Sequence, residues 1–321
     1  MHRPVIAIHG GCGVMAASSL SGEDWARARR DLASALKAGW RVLISGGSAV
    51  DAVEAAVIAL EDSPEFNAGH GAALNTAGQH ELDASIMRGS DLAAGAVTLV
   101  RHIRNPIRAA RMLMDAGGAV MLGGPAADAF AAAKGLETVE QAYFTTERRV
   151  RALEALKAYT RAGKSGAATE AEKHGTVGAV ALDRDGHLAA ATSTGGYNNK
   201  PEGRIGDSPI IGAGTYARDG VCAVSGTGAG EFFIRHAVGH EIASRMAYLG
   251  ESLDRAASKV ILHDLFSRDI GAGAVAVDAQ GNVAAPYNTG GMFRGWITSD
   301  GRMSVATHSE IFSGSPEEIP S

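Results

Sequence analysis

Residues Gly178–Gly196, GAVALDRDGHLAAATSTGG, and Gly273–Gly291, GAVAVDAQGNVAAPYNTGG, align without a gap. Each copy reads as an apolar strand, an Asp/Gly turn and a second strand of small residues, which together make a β-hairpin. Between the copies lie GAGTYA, a strand around Val221–Val224, the loop SGTGAGE, and helical patterns over Glu231–Leu249 and Leu253–Phe266. Strand pairs alternating with helix pairs predict sheets packed on each other with helices outside. The copies differ just upstream. Gly175-Thr176-Val177 precedes the first, and Ile270-Gly271-Ala272 holds the matching places before the second. The hairpin itself therefore does not demand a hydroxyl at 176.

The N-terminal half alternates in the same way. VIAIHGG (Val5 to Gly11) reads as a buried strand ending in a glycine turn. A helix is predicted from about Glu23 to Ile44, with Ser21 as cap and Asp24 three residues on. A second opens at Ser48, with Asp51 in the capping-box place, and ends near Asp62-Ser63-Pro64. Glu65 to Met87 reads as a glycine-punctuated loop and then a strand, and Gly95–Val100 as a strand. Asn105-Pro106 caps another helix, with proline at its first position. A charged helix follows over about Thr146–Ala162.

The 321 residues suit one large α/β domain or two small ones. Apolar residues make up 45% but aromatics only 5%, so Ala and Gly must let backbones pack closely. A net charge of −5 gives no electrostatic case for nucleic acid or an anionic membrane. Cys12 and Cys222 make neither a disulfide framework nor a zinc cluster. The opening MHRPVIAIHGG lacks the apolar run of a secretory leader, and no stretch reaches membrane-spanning length. Cytoplasmic residence is expected.

Several signatures fail on inspection. AGKS (Ala162–Ser165) lacks the first glycine of a phosphate loop, since position 158 is Ala. GAGTYA is followed by the turn Arg218-Asp219-Gly220, where a dinucleotide site needs a helix. There is no G-x-S-x-G elbow, and His240-Glu241 has no second His at zinc spacing.

Ala162–Gly175, AGKSGAATEAEKHG, is small, polar, charged and aperiodic. Such a linker in mid-chain reads either as a domain boundary or as slack around a cleavage point. Directly after it stands Thr176. A threonine hydroxyl is a poor nucleophile without an adjacent base. A free α-amino group, with a pKa of about 7.7–8.0, would be such a base on the same residue. It becomes available only if the chain is cut before Thr176. Gly175 can adopt strained backbone geometry at little steric cost. A hydroxyl attack on its carbonyl would then give an ester for water to cleave.

HGTVGAVALD with AAATSTGG, then GRIGDSPIIGAGTYA and AVSGTGAGEFFIR, resembles the plant-type asparaginase and isoaspartyl peptidase family. IAIHGG and FNAGHGAALN…HELDASIM resemble its N-terminal half, so the likeness runs from about Val5 to Gly295. The resemblance implies one N-terminal-nucleophile hydrolase domain over 1–321, α/β (α+β) in class, with a four-layered αββα sandwich. It implies maturation into an α subunit, 1–175, and a β subunit, 176–321, and assembly as a dimer of αβ units. Thr176 would be the nucleophile, freed at Gly175–Thr176, with Thr194 orienting it. Thr227 and the Gly228 N–H would form the oxyanion hole. Arg204 would bind the substrate α-carboxylate, and Asp207, with Gly228, the α-ammonium. Asn67 would face the site. A structural sodium would take backbone carbonyls of Leu60, Glu61, Ser63, Phe66, Ala68 and His70, with no cofactor required for the chemistry.

The residues themselves leave more than one reading. Arg204 and Asp207 suit a zwitterionic amino-acid head, since arginine grips a carboxylate bidentately, but equally suit a solvated ion pair. SGTGAGE could aim N–H groups at an oxyanion or simply start a helix. The function expected is hydrolysis of L-asparagine and β-aspartyl dipeptides through a β-aspartyl–Thr176 ester. Alternatives are a glycosylasparaginase, an endopeptidase of the same fold, an uncleaved non-catalytic relative and, more remotely, a nicotinamide enzyme.

Overall fold

The computed structural model describes residues 2–13, 21–161, 175–265 and 270–320. The predicted linker lies outside the described residues except for Gly175, as does Phe266. The strands are β1 (Val5–Gly13), β2 (Leu82–Arg88), β3 (Ala94–Val100), β4 (Met121–Gly123), β5 (Val177–Leu182), β6 (Leu188–Thr194), β7 (Thr215–Arg218), β8 (Cys222–Gly228), β9 (Ala272–Asp278), β10 (Val283–Ala284), β11 (Gly291–Ile297), β12 (Met303–Ala306) and β13 (Ile311–Gly314). The helices are α1 (Gly22–Ile44), α2 (Ala49–Glu61), α3 (Pro106–Ala116), α4 (Pro125–Ala133), α5 (Glu147–Arg161), α6 (Gly230–His236), α7 (Val238–Leu249) and α8 (Leu253–Ser258).

Among the described residues, nine strands form a large sheet in the order β13-β12-β11-β1-β5-β6-β2-β3-β4, and β10-β9-β8-β7 form a small one. Side chains alternate faces along a strand, so each inner strand serves two cores. Ile6, Ile8, Val177, Ala179, Ala189, Ala191 and Ile86 pack against α1, α2 and α3. Val5, Ala7, Val180, Leu182, Leu188 and Ala190 meet Ala223, Val224, Val275 and Val277 of the small sheet. Helices α7 and α8 close its other face through Val238, Ile242, Leu253 and Ala257. The result is the four-layered αββα sandwich, with β5 and β6 buried along their whole length at its centre.

Two of the three predicted helix caps form, whereas Asn105 at α3 makes no side-chain cap hydrogen bond. At α1 the Ser21 hydroxyl takes the Asp24 N–H while the Asp24 carboxylate takes the Ser21 N–H, and Ser48 caps α2 through the Asp51 N–H. Five expectations need correction. The loop predicted over SGTGAGE is strand in its first half, since Ser225–Gly228 continue β8. Gly10 and Gly11 do not end the first strand in a turn, since β1 runs on through a bulge to Gly13. The helix predicted over Glu231–Leu249 is broken at Ala237, which is left-handed at φ 46°. There the chain turns so that the Gly239 and His240 N–H groups bond Ala213 and Gly212 carbonyls. The Leu253–Phe266 helix shortens to α8 followed by a π-helical turn over Lys259–Asp264. The second hairpin keeps only the short β10, because Pro286 has no N–H to continue the ladder. No periodicity announced α4 or the strands after Gly291.

Candidate active site

Thr176 stands immediately before β5 with only 6% of its surface exposed. Its Oγ1 donates to Thr194 Oγ1, 3.2 Å away at the end of β6. Thr194 in turn donates to the Gly175 carbonyl oxygen at 3.0 Å and accepts the Gly196 N–H at 2.9 Å. That same Gly175 oxygen receives Asn67 Nδ2 at 2.7 Å. Asn67 is itself held rigid: Nδ2 also reaches the Gly196 carbonyl at 2.6 Å, and Oδ1 accepts the Ala73 N–H at 2.6 Å. Two donors therefore converge on the carbonyl of the Gly175–Thr176 bond, beside a hydroxyl.

Strand β1 walls this bond, a contact between residues far apart in the chain that no local signal announces. A bulge between His9 and Gly11 bends the strand toward it. Gly11 adopts φ +107°, and a Cβ there would stand 3.0 Å from Gly175 Cα and 3.1 Å from the Thr176 nitrogen. Glycine is required on both counts. Next to it, the His9 ring is fully buried against the Thr176 backbone, although Nδ1 makes no hydrogen bond of good geometry. Burial pulls its pKa down to about 3, so the ring stays neutral.

Thr227, near the end of β8, is wholly buried, and its Oγ1 accepts the Cys12 N–H at 3.3 Å. Gly228 adopts φ +136°, and a Cβ there would lie 2.3 Å from the Gly271 carbonyl. Gly228 lines the central cavity with Gly175, Thr176, Thr194, Arg204 and Asp207, whereas Thr227 sits behind that wall. Tyr197, Gly196, Gly206 and Ser208 complete the lining, which sequence reasoning missed.

Arg204 and Asp207 come together against Gly230. A Cβ on Gly230 would lie 2.7 Å from Asp207 Oδ1 and 3.0 Å from Arg204 Nη2. The guanidinium stacks 4.7 Å over the Tyr197 ring and pairs with Glu231 Oε1 through Nε at 3.0 Å and Nη2 at 2.9 Å. Asp207 is 4% exposed, and its Oδ2 has no hydrogen-bond partner. Burial pushes its pKa up to about 7, against the lowering pull of its own backbone N–H and of Arg204. An orphaned buried carboxyl oxygen beside a guanidinium is an acceptor and donor pair that a zwitterion would complete.

The Leu60–His70 segment carries Asn67 into the site. The Glu61 carbonyl accepts the His70 N–H at 2.7 Å. The carbonyls of Ser63, Phe66, Ala68 and His70 accept no hydrogen bond among the described residues, although Phe66 and Ala68 are almost fully buried. Unpaired buried carbonyl oxygens suit a hard cation. The Glu61 side chain serves a separate purpose. Its Oε1 accepts the Ser193 hydroxyl of β6 at 2.6 Å, and burial raises its pKa to about 8.

A model of the asparaginase family matches residues 2–307. The isoaspartyl peptidase of Escherichia coli K12 is 46% identical over 299 residues, covering 92% of this chain and 93% of that protein. An isoaspartyl peptidase/L-asparaginase of Bos taurus is 45% identical over 81% of this chain and 82% of its own length. A probable isoaspartyl peptidase/L-asparaginase of Arabidopsis thaliana is 40% identical over 94% of this chain and 98% of its own. The match spans both hairpins, the clamped Gly175–Thr176 bond and the Arg204–Asp207 loop, and the chain belongs to the asparaginase family.

Proposed function

We propose that the chain cuts itself between Gly175 and Thr176 and that the freed Thr176 hydrolyses L-asparagine and β-aspartyl dipeptides. The convergence of Thr194 and Asn67 on the Gly175 carbonyl oxygen carries this reading. Attack by Thr176 Oγ1 on that carbonyl would place negative charge on an oxygen already facing two donors. Breaking the C–N bond then yields a Gly175 ester on Oγ1 and a free amine on Thr176. Water hydrolyses the ester, leaving the Gly175 carboxylate and an N-terminal threonine.

The new amine takes the hydroxyl proton as Thr176 attacks the side-chain amide carbon of the substrate. Ammonia leaves from asparagine, or the next residue's α-amine from a β-aspartyl dipeptide. The resulting β-aspartyl–Thr176 ester is hydrolysed to aspartate. Thr227 and the Gly228 N–H serve the oxyanion, Arg204 the α-carboxylate and Asp207 the α-ammonium. The cavity among these groups measures about 10 Å³, enough for one water. Gly175 lines it, so departure of the cut end would open the room a substrate needs.

A sodium ion held by the carbonyls of Leu60, Glu61, Ser63, Phe66, Ala68 and His70 belongs to this reading. It would supply rigidity to the loop that carries Asn67 and take no part in bond making. Assembly as a dimer of αβ units and residence in the cytoplasm complete it. Among the described residues, no helix is long and apolar enough to cross a membrane.

Kinetics on L-asparagine, β-Asp-Leu and aspartylglucosamine test the assignment. Turnover of the first two is expected. Turnover of aspartylglucosamine alone would replace it with glycosylasparaginase activity.

A further inference from the structure

Directly beneath the nucleophile runs a row of buried polar side chains that the chemistry above leaves unused. Across the large sheet, His9 on β1, Gly178 on β5, Thr192 on β6 and Ser85 on β2 stand in register. This is the next inward-facing row after Thr176 and Thr194, because alternate residues of a strand share a face. Opposite it, Thr215 on β7 and Ser225 on β8 are paired in the small sheet.

The two rows are joined by hydrogen bonds. Ser225 Oγ lies 2.9 Å from His9 Nε2 and 2.7 Å from Thr192 Oγ1. Thr215 donates to Thr192 at 2.5 Å. Ser85 Oγ lies 2.8 Å from Thr215 Oγ1 and 2.6 Å from the Ser208 carbonyl oxygen. His9, Ser85, Thr192, Thr215 and Ser225 are each 0% exposed. Gly178 makes the room: a Cβ there would stand 2.0 Å from Ser225 Oγ and 2.6 Å from His9 Nε2.

Much of the remaining contact between sheets is apolar, through Val5, Ala7, Val180, Leu182, Ala190 and Val224, although Cys12 on β1 also bonds Thr227 on β8 and Met87 on β2 accepts the Ala217 N–H of β7. Apolar attraction is non-directional and lets packed surfaces settle in more than one offset. Hydrogen bonds in a low-dielectric interior fix both separation and register. The row ends on reacting parts. Thr192 precedes Thr194 by two residues, Ser225 precedes Thr227 by two, and Ser208 follows Asp207.

We propose that the row His9–Ser225–Thr192–Thr215–Ser85 is a positioning device that sets the nucleophile of the large sheet against the oxyanion residue and the Asp207 loop of the small one. The inference rests on the roles given above to Thr176, Thr227 and Asp207. Its members touch no substrate and act through the residues they hold.

Thr192→Val removes the hydroxyl at nearly constant size, and Thr192→Ser keeps it. For Thr192→Val, kcat and the self-cleavage rate should each fall about tenfold or more, with KM within about twofold, as expected for a misplaced reacting pair. Thr192→Ser should stay near wild type. Ser85→Ala, at the Asp207 end, should instead raise KM about fivefold with kcat held, the worth of one hydrogen bond. Folded Thr192→Val protein that cuts itself and turns over at wild-type rates would overturn the proposal. So would Thr192→Ser failing as badly as Thr192→Val, since volume would then be the cause. If Thr192→Val does not fold, Ser225→Ala carries the same test. Wild-type protein that neither cuts itself nor hydrolyses either substrate would sink the reading of the site instead.

Discussion

The two hairpin copies fold alike around their turns and diverge where they begin. In the first, Asp183 Oδ1 accepts the Asp185 and His187 N–H groups; in the second, Asp278 Oδ1 accepts those of Gln280 and Asn282. Gly186 and Gly281 follow with φ of 87° and 84°. Even the carbonyl before each copy is held by an asparagine amide. Asn67 reaches Gly175 at 2.7 Å, and Asn288 reaches Ile270 at 2.8 Å. An amide clamp is thus part of a common frame. What sets the first copy apart is a hydroxyl at 176 where the second has Gly271, and a second donor, Thr194, on the clamped oxygen. Thr289, the matching residue in the second copy, donates to the Gly291 carbonyl instead. The second copy has turned structural: its Gly271 carbonyl packs on Gly228 and accepts the Ala229 N–H at 3.0 Å.

The sharpest break of this comparison is Thr176→Ala, which makes the first copy chemically like the second. It should abolish cleavage and hydrolysis together, whereas Thr176→Ser should keep part of both, read on denaturing gels and by ammonia release.

Asn67→Ala against Asn288→Ala separates a working clamp from a frame clamp. Loss of one oxyanion donor costs about 100-fold in rate, so Asn67→Ala should slow cleavage by that order. Asn288→Ala should lower the melting temperature and leave the cleavage rate unchanged. Equal slowing in both would erase the distinction.

A smaller effect follows from Asp207, which lines the cavity beside the first copy's Thr176. With its pKa near 7, the carboxyl is neutral below that pH and cannot hold an α-ammonium. Ionisation of Asp207 should lower KM roughly tenfold per pH unit up to pH 7, on top of the rise in kcat that deprotonation of the Thr176 amine gives, and Asp207→Asn should remove the KM part alone. The stability sign is opposite. The folded pKa lies above the unfolded value of 3.8, so this group's contribution is full below about pH 4 and is lost as pH rises through about 7.

The smallest difference lies in the turns. Asp183 also accepts the Ala49 N–H at the start of α2, while the other oxygen of Asp278 serves only the Asn282 side chain. Each accepts three hydrogen bonds, but the third of Asp183 ties down α2 whereas the third of Asp278 goes to the exposed Asn282, whose amide water can serve instead; at roughly one per bond that water does not replace, Asp183→Ala should cost about 2–3 kcal/mol and Asp278→Ala about 1–2 kcal/mol, measured by urea denaturation.

Much of this frame was legible in the chain because its signals are local. Ser21 with Asp24, Ser48 with Asp51, and the Asp/Gly turns each act within a few residues. The repeat located Thr176 because one copy could be read against the other. The rest depends on pairing between distant strands. Nothing near Ala237 announces a left-handed break, since alanine carries no turn signal; the loop at 212–213 imposes it. Carbonyl donors in the Leu60–His70 loop leave no side-chain trace. The His9–Ser225–Thr192 row is invisible in sequence, because its members come from separate strands in two sheets and look like ordinary serines and threonines.

Intact-mass measurement of freshly purified protein, followed over time, tests the central claim most directly. Two fragments meeting at 175/176 should form, with hydrolytic activity rising in step with the fragment whose first residue is Thr176. A preparation that stays full length and is nevertheless fully active would contradict it.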